Sequence, residues 1–182
     1  MIEHGSAILV IGVSGTGKSS LGRRLAELLT VPFLEGDDFH PAANIQKMSH
    51  GIPLRDEDRW PWLDALAVAV AGGRTSRGIV ATCSALRRCY RDRLRGAIAP
   101  PLLFVCLTAD RATLAARMHS RKDHFMPESL LDSQLATFEI PDADEDVRKS
   151  AADRPIETLV ADLLSAHPDD STTTPRQTSG SS

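Results

Sequence analysis

The chain has 182 residues, 42% of them hydrophobic, enough for one domain with a substantial core and too few for two ordinary ones. Its 21 Lys and Arg against 24 Asp and Glu give a net charge of -3 with no long block of either sign, which argues against a nucleic-acid surface. No apolar run approaches the ~20 residues of a membrane span, and the N-terminus enters a strand-like run without a basic leader, so the expected location is cytoplasmic, with no membrane partner.

In chain order, Ala7 to Gly12 reads as a buried strand. It runs into Gly12-Val13-Ser14-Gly15-Thr16-Gly17-Lys18-Ser19, which fits G-x-x-x-x-G-K-[ST], the phosphate-binding loop. Its glycines permit a tight turn that aims backbone N–H groups at a phosphate chain, Lys18 reaches the β and γ phosphates, and the Ser19 hydroxyl ligates Mg²⁺. Gly12 to Ser20 are therefore the expected phosphate-binding residues, Ser20 included, at the positive end of a helix expected over Gly17 to Thr30.

Further strands are expected at Pro32 to Glu35, Gly78 to Ser84, Leu102 to Thr108 and, more briefly, near Val147. Amphipathic helices are expected over Trp60 to Ala71, Arg87 to Ile98, Asp110 to Ser120, Pro127 to Phe138 and Pro155 to Ala166. This alternation defines an α/β fold: a P-loop NTPase-type parallel sheet with helices on both faces and a small helical lid. The expected domain is 1–166, with the lid at about 117–127. Residues 167–182, rich in Ser and Thr and without a large apolar side chain, are expected to be a disordered tail. Cys83, Cys89 and Cys106 lack metal-ligand spacing and read as buried, reduced thiols.

In an open α/β sheet the ligand crevice lies beyond the carboxyl ends of the strands. There the second strand meets Glu35-Gly36-Asp37-Asp38-Phe39-His40-Pro41. Phosphoryl transfer needs a group that orients the attacking hydroxyl and accepts its proton, and Asp37, directly after the glycine turn, is the expected base. The competing reading makes these acids caps of a helix begun at Pro41. Trp60-Pro61-Trp62 reads as core packing at a helix start rather than a sugar-stacking platform. In the basic stretch from Arg117 to Pro127, Arg117 and Arg121 share i, i+4 spacing and fit a lid over the nucleotide, with an exposed helix end as the alternative. The strand ending at Cys83-Ser84 lacks the Asp that many P-loop enzymes use for Mg²⁺, so the second magnesium partner stays open, with Asp37 through a water as one candidate.

Several motifs together resemble the gluconokinase family: Gly36-Asp37-Asp38-Phe39-His40-Pro41, Lys47-Met48, Pro53-Leu54-x-Asp56-x-Asp58-Arg59-x-Pro61-Trp62-Leu63, Cys83-Ser84-Ala85-Leu86 with Tyr90-Arg91-Asp92, and His124-Phe125-Met126 with Gln134. The likeness covers roughly residues 7 to 165, in order and without a large gap. It implies ATP-dependent phosphorylation of D-gluconate at the 6-hydroxyl on a fold like that of shikimate and nucleoside monophosphate kinases. It also implies catalytic roles for Lys18, Asp37 and Arg121, nucleotide contacts from Arg117 and Arg121, and a substrate pocket of Asp37, His40, Arg59, Ser84, Arg91, His124 and Gln134. Such side chains suit a sugar acid, whose carboxylate needs a fixed cation and whose hydroxyls need polar partners. Only the resemblance suggests a second copy of the chain as partner, in a homodimer. The rival readings are a kinase for another small hydroxy acid such as shikimate and, from another class, a nucleotide-switched binding module.

Overall fold

The computed structural model describes residues 2–119 and 129–165. Strands β1 (Ala7–Ile11), β2 (Phe33–Leu34), β3 (Ile79–Cys83), β4 (Leu102–Thr108) and β5 (Val147–Ala151) form one parallel sheet in the order β2-β3-β1-β4-β5. The helices are α1 (Lys18–Leu29), α2 (Ala42–Ser49), α3 (Asp56–Gly73), α4 (Arg88–Ala97), α5 (Arg111–His119), α6 (Ser129–Thr137) and α7 (Ile156–Ser165). Arg121, His124, most of the expected lid and the expected tail lie outside the described residues.

Both faces of the sheet are covered, which is why its central strands are almost uninterruptedly apolar. Leu9, Ile11, Ala81 and Phe104 point to the layer of α3 and α4, where Trp62, Leu63, Leu66 and Leu94 meet them. The alternate residues Ile8, Val10, Val80 and Val105 face Leu21 and Leu25 of α1 and Leu159 and Leu163 of α7. Because every strand runs parallel, their carboxyl ends lie at one edge of the sheet, where the loops that follow β1, β2 and β3 emerge. Among the described residues no helix is long and apolar enough to cross a membrane.

Two elements depart from the sequence expectation. Helix α3 begins at Asp56, four residues before Trp60. The Asp58 carboxylate accepts the Arg55 N–H at 3.0 Å, and Asp56, Glu57 and Asp58 place negative charge in the first turn, where the helix dipole favours it. Pro61 lies inside the helix, at the cost of the bond its missing N–H would make to the Glu57 carbonyl. Helix α2 is the one the capping alternative would begin at Pro41, yet its N-terminus has no side-chain cap, so neither Asp37 nor Asp38 serves there.

Arg91 requires a correction. The resemblance placed it in the substrate pocket, whereas its side chain is fully buried in α4 and forms a bidentate pair with Glu145, with N···O distances of 2.6 and 2.7 Å. Its remaining guanidinium nitrogen donates to the carbonyls of Ala85, Leu86 and Glu139. Arg91 thus binds the loop after β3 to the segment before β5, and its donors are spent on the protein. Removing one partner leaves a buried charge uncompensated, so Glu145→Gln is expected to cost about 3–5 kcal/mol of stability. Urea unfolding of the variant beside the parent protein measures this.

Candidate active site

The phosphate-binding loop connects β1 to α1. Gly12 has φ 139°, and a Cβ there would stand 2.5 Å from the Leu107 carbonyl oxygen, so the turn leaves no room for a side chain. Within the loop the Thr16 hydroxyl donates to the Val13 carbonyl at 2.9 Å and Lys18 Nζ donates to the same oxygen at 3.0 Å. The Ser14 N–H donates to Gln134 Oε1 at 2.8 Å, tying the loop to α6. Val13 packs with Leu86, Leu114, Met118 and Leu131, so its side chain supports the loop from beneath. Lys18, Ser19 and Ser20 form the first turn of α1, the positive end of its dipole.

Beside the loop lies a cleft that opens to solvent. Its polar wall holds Ser14, Lys18, Asp37, His40, Arg59 and Ser84 with Gln134, and its apolar wall is Met48, Pro53, Leu54 and Leu130. Residues expected to contact nucleotide and residues expected to contact the second substrate thus share one space. Of the two neighbouring acids Asp37 lines it, whereas Asp38 is exposed and does not. Arg117, expected at the nucleotide, donates to the Ala152 carbonyl at 2.8 Å and so links α5 to the loop after β5.

Asp37 sits in a single 3₁₀ turn, Gly36–Phe39, whose first peptide is held from several sides. The Gly36 N–H donates to the Thr82 hydroxyl at 3.1 Å, and that hydroxyl donates in turn to the Glu35 carboxylate. The Gly36 carbonyl accepts the Trp62 indole N–H at 2.7 Å. A Cβ on Gly36 would collide with the Thr82 carbonyl, so only glycine fits. Trp62 is fully buried, as core packing predicts, but its indole also stacks on the His40 ring with centroids 4.0 Å apart at 15°. Sequence reasoning missed this positioning role of Trp62, and nothing in a threonine within a strand marks Thr82 as a clamp.

The acids of the Asp56-x-Asp58 run build the frame instead of reaching into the cleft. Asp56 accepts the Tyr90 hydroxyl at 2.5 Å and an Arg87 N–H at 2.7 Å, and Asp58 pairs with Lys47 at 2.6 Å. Each is held below the usual carboxylate range, Asp56 chiefly by the Tyr90 hydrogen bond and Asp58 by Lys47. Burial pushes the Tyr90 hydroxyl up to about 12, aided by its bond to Asp56. Arg59, between these acids and the cleft, is 7% exposed and lies over the Tyr90 ring at 5.6 Å. Its Nε is buried without a hydrogen-bond partner among the described residues.

Burial, helped by the charge of Arg59, lowers His40 from its ordinary 6.5 to about 4, so the ring is neutral near pH 7. Burial likewise raises the Cys83 thiol to about 12 and Cys106 to about 11, which makes both poor nucleophiles, while Cys89 is exposed on α4, contrary to the expected burial.

A phosphate-binding loop that opens a helix, next to a cleft with a carboxylate and a buried guanidinium, defines a P-loop kinase for a small molecule. The AAA domain family profile matches residues 8–141. The gluconokinase of Gluconobacter oxydans strain 621H is 45% identical over 161 residues, covering 86% of this chain and 88% of that protein. A crystal structure of a gluconokinase from Sinorhizobium meliloti 1021 superposes with a TM-score of 0.79 at 45% identity, over 90% of this chain and 91% of that one. The shikimate kinase of Aquifex aeolicus, at 17% identity and a TM-score of 0.54 over 87% of this chain and 93% of its own, shares the fold alone. The chain belongs to the gluconokinase family.

Two measurements test the site's construction. Between pH 6.5 and 4 the unfolded chain binds a proton at His40 that the folded chain refuses, so the stability this residue contributes is present above pH 6.5 and is lost as pH falls toward 4. The loss amounts to about 3 kcal/mol, and unfolding curves at pH 7 and pH 4.5 should show a smaller decline for His40→Gln. Gly36→Ala should displace Asp37 and lower kcat by about 10²-fold, as steady-state assays would read.

Proposed function

We propose that the protein transfers the γ-phosphoryl group of ATP to the 6-hydroxyl of D-gluconate, giving 6-phosphogluconate and ADP. The observation that carries this reading is the shared cleft, in which Lys18 of the phosphate-binding loop lines the same space as Asp37 and the buried Arg59. Asp37 orients the hydroxyl and accepts its proton, Lys18 balances charge on the transferring group, and positioning supplies much of the rate. Arg59 takes the sugar acid's carboxylate, since a buried N–H without a partner costs stability unless a ligand satisfies it. His40, Ser84 and Gln134 hydrogen-bond the hydroxylated chain, and the apolar wall of Met48, Leu54 and Leu130 excludes water from it. Arg121 and His124 complete this proposal as contributions from the lid.

The Ser19 hydroxyl in the first turn of α1 and the Asp37 carboxylate are hard oxygen donors, and among the described residues no three His, Cys, Asp or Glu side chains converge. That set fits Mg²⁺, which is commonly held by one or two protein oxygens together with substrate phosphates. Bound there with Ser19 as ligand, the ion would neutralise phosphate charge. A nucleotide-switched binding module would have no use for a buried arginine in the cleft beside the phosphate loop whose Nε–H meets no acceptor among the described residues. A shikimate kinase would need a pocket for a rigid ring, and the relatives at 45% identity are gluconokinases.

Identification of the phosphorylated product from ATP and a panel of sugar acids tests the assignment: 6-phosphogluconate is expected, and turnover indifferent to gluconate would overturn it. Asp37→Asn should lower kcat by about 10²- to 10⁴-fold with ATP affinity retained. Arg59→Met should raise KM for gluconate by about 10- to 10²-fold, matching a lost charge-assisted hydrogen bond.

A further inference from the structure

We infer that Asn44 is a positioning residue that holds His40 in the neutral tautomer protonated on Nε2, so that His40 serves the cleft as a hydrogen-bond donor and not as a base. Asn44 is 3% exposed on α2. Its Nδ2 lies 2.7 Å from the backbone carbonyl of Asp58. A carbonyl only accepts, so the amide must turn its NH₂ group to that oxygen, and this fixes which way the side chain faces. The same NH₂ group lies 3.3 Å from His40 Nδ1. An amide nitrogen has a second hydrogen to give and no lone pair to offer, so His40 Nδ1 must be the acceptor and the ring proton must sit on Nε2.

The surroundings of the ring enforce the same state. Trp62 covers one face of the imidazole, and Arg59 stands close enough to disfavour a second positive charge. With Nδ1 committed to Asn44, Nε2–H is the nitrogen left for the cleft that His40 lines. It offers a fixed donor to an oxygen acceptor beside the Arg59 guanidinium. The proton of the attacking hydroxyl is then left to Asp37, because a ring whose free nitrogen already carries hydrogen accepts none. The identity of the acceptor, an oxygen of gluconate, rests on the function proposed above, whereas the tautomer does not.

The test begins with the unmodified protein. Long-range ¹H–¹⁵N spectra of imidazole-labelled protein near pH 7 should show His40 with Nδ1 unprotonated and Nε2 protonated, and a protonated Nδ1 would overturn the inference. Kinetics of two replacements then separate the ring nitrogens, since a glutamine amide reaches the place of Nε2 and an asparagine amide that of Nδ1. His40→Asn should raise KM for gluconate by about tenfold or more with kcat little changed, while His40→Gln should restore much of the loss. Equal damage from both would overturn the donor role. Asn44→Leu should mix the tautomers in the spectrum and raise KM for gluconate without moving KM for ATP, and a spectrum identical to the parent's would show that Asn44 does not set the tautomer. Should Asn44→Leu fail to fold, the parent spectrum and the two His40 variants still decide. If the parent protein phosphorylates no gluconate, the proposed function fails, and the spectrum independently decides the tautomer.

Discussion

The geometry of the site depends on one residue, Gly36. Its N–H is taken by the Thr82 hydroxyl of β3, its carbonyl by the Trp62 indole of α3, and its Cα presses on the β3 backbone. Two elements distant in sequence, β3 and α3, therefore fix the turn that carries Asp37. Phosphoryl transfer asks little covalent chemistry of the protein and much positioning, so rigidity here matters more than the strength of any single contact. The same indole supports the His40 ring, and the acid and the imidazole consequently share one foundation.

Around that foundation, several charged side chains satisfy one another, and one buried guanidinium N–H meets no acceptor among the described residues. Asp56 with Tyr90 and Arg87, Asp58 with Lys47, and Arg91 with Glu145 are each closed by the protein. Arg59 lies among them, packed on Tyr90, with an Nε that meets no acceptor among the described residues. The carboxylates of Asp56, Asp58 and Glu145 are thus taken by other partners, while Arg59 and Asp37 both line the cleft. His40 stays neutral in the same environment, because burial and the adjacent guanidinium both oppose a second positive charge.

Legibility in the sequence followed the range of the forces involved. Central strands β1, β3 and β4 are nearly continuous apolar runs, and the stripes of α1 and α7 repeat at helical spacing, so local pattern revealed them. Edge strands were harder: β2 has two residues, and β5 reads Val147-Arg148-Lys149-Ser150-Ala151, half-exposed and polar, because an edge is covered less completely than the centre. The start of α3 was concealed by Pro61, which lies inside the helix although its missing N–H usually marks a helix boundary. Arg91 was misplaced because nothing local distinguishes an arginine at a substrate from one paired with a glutamate 54 residues away.

The phosphate-binding loop and the parallel α/β alternation were determined by the sequence alone. Each depends on short-range facts: a loop motif between strand and helix, and the period of apolar residues. Tertiary structure alone decided which polar groups are spent and which remain. It closed Arg91 on Glu145, turned Trp62 from core filler into a clamp, and set Asn44 between the Asp58 carbonyl and His40. The physical reason is that hydrogen bonds are directional and each donor serves few acceptors, so the partner a side chain finds depends on neighbours that only folding brings within 3 Å or so.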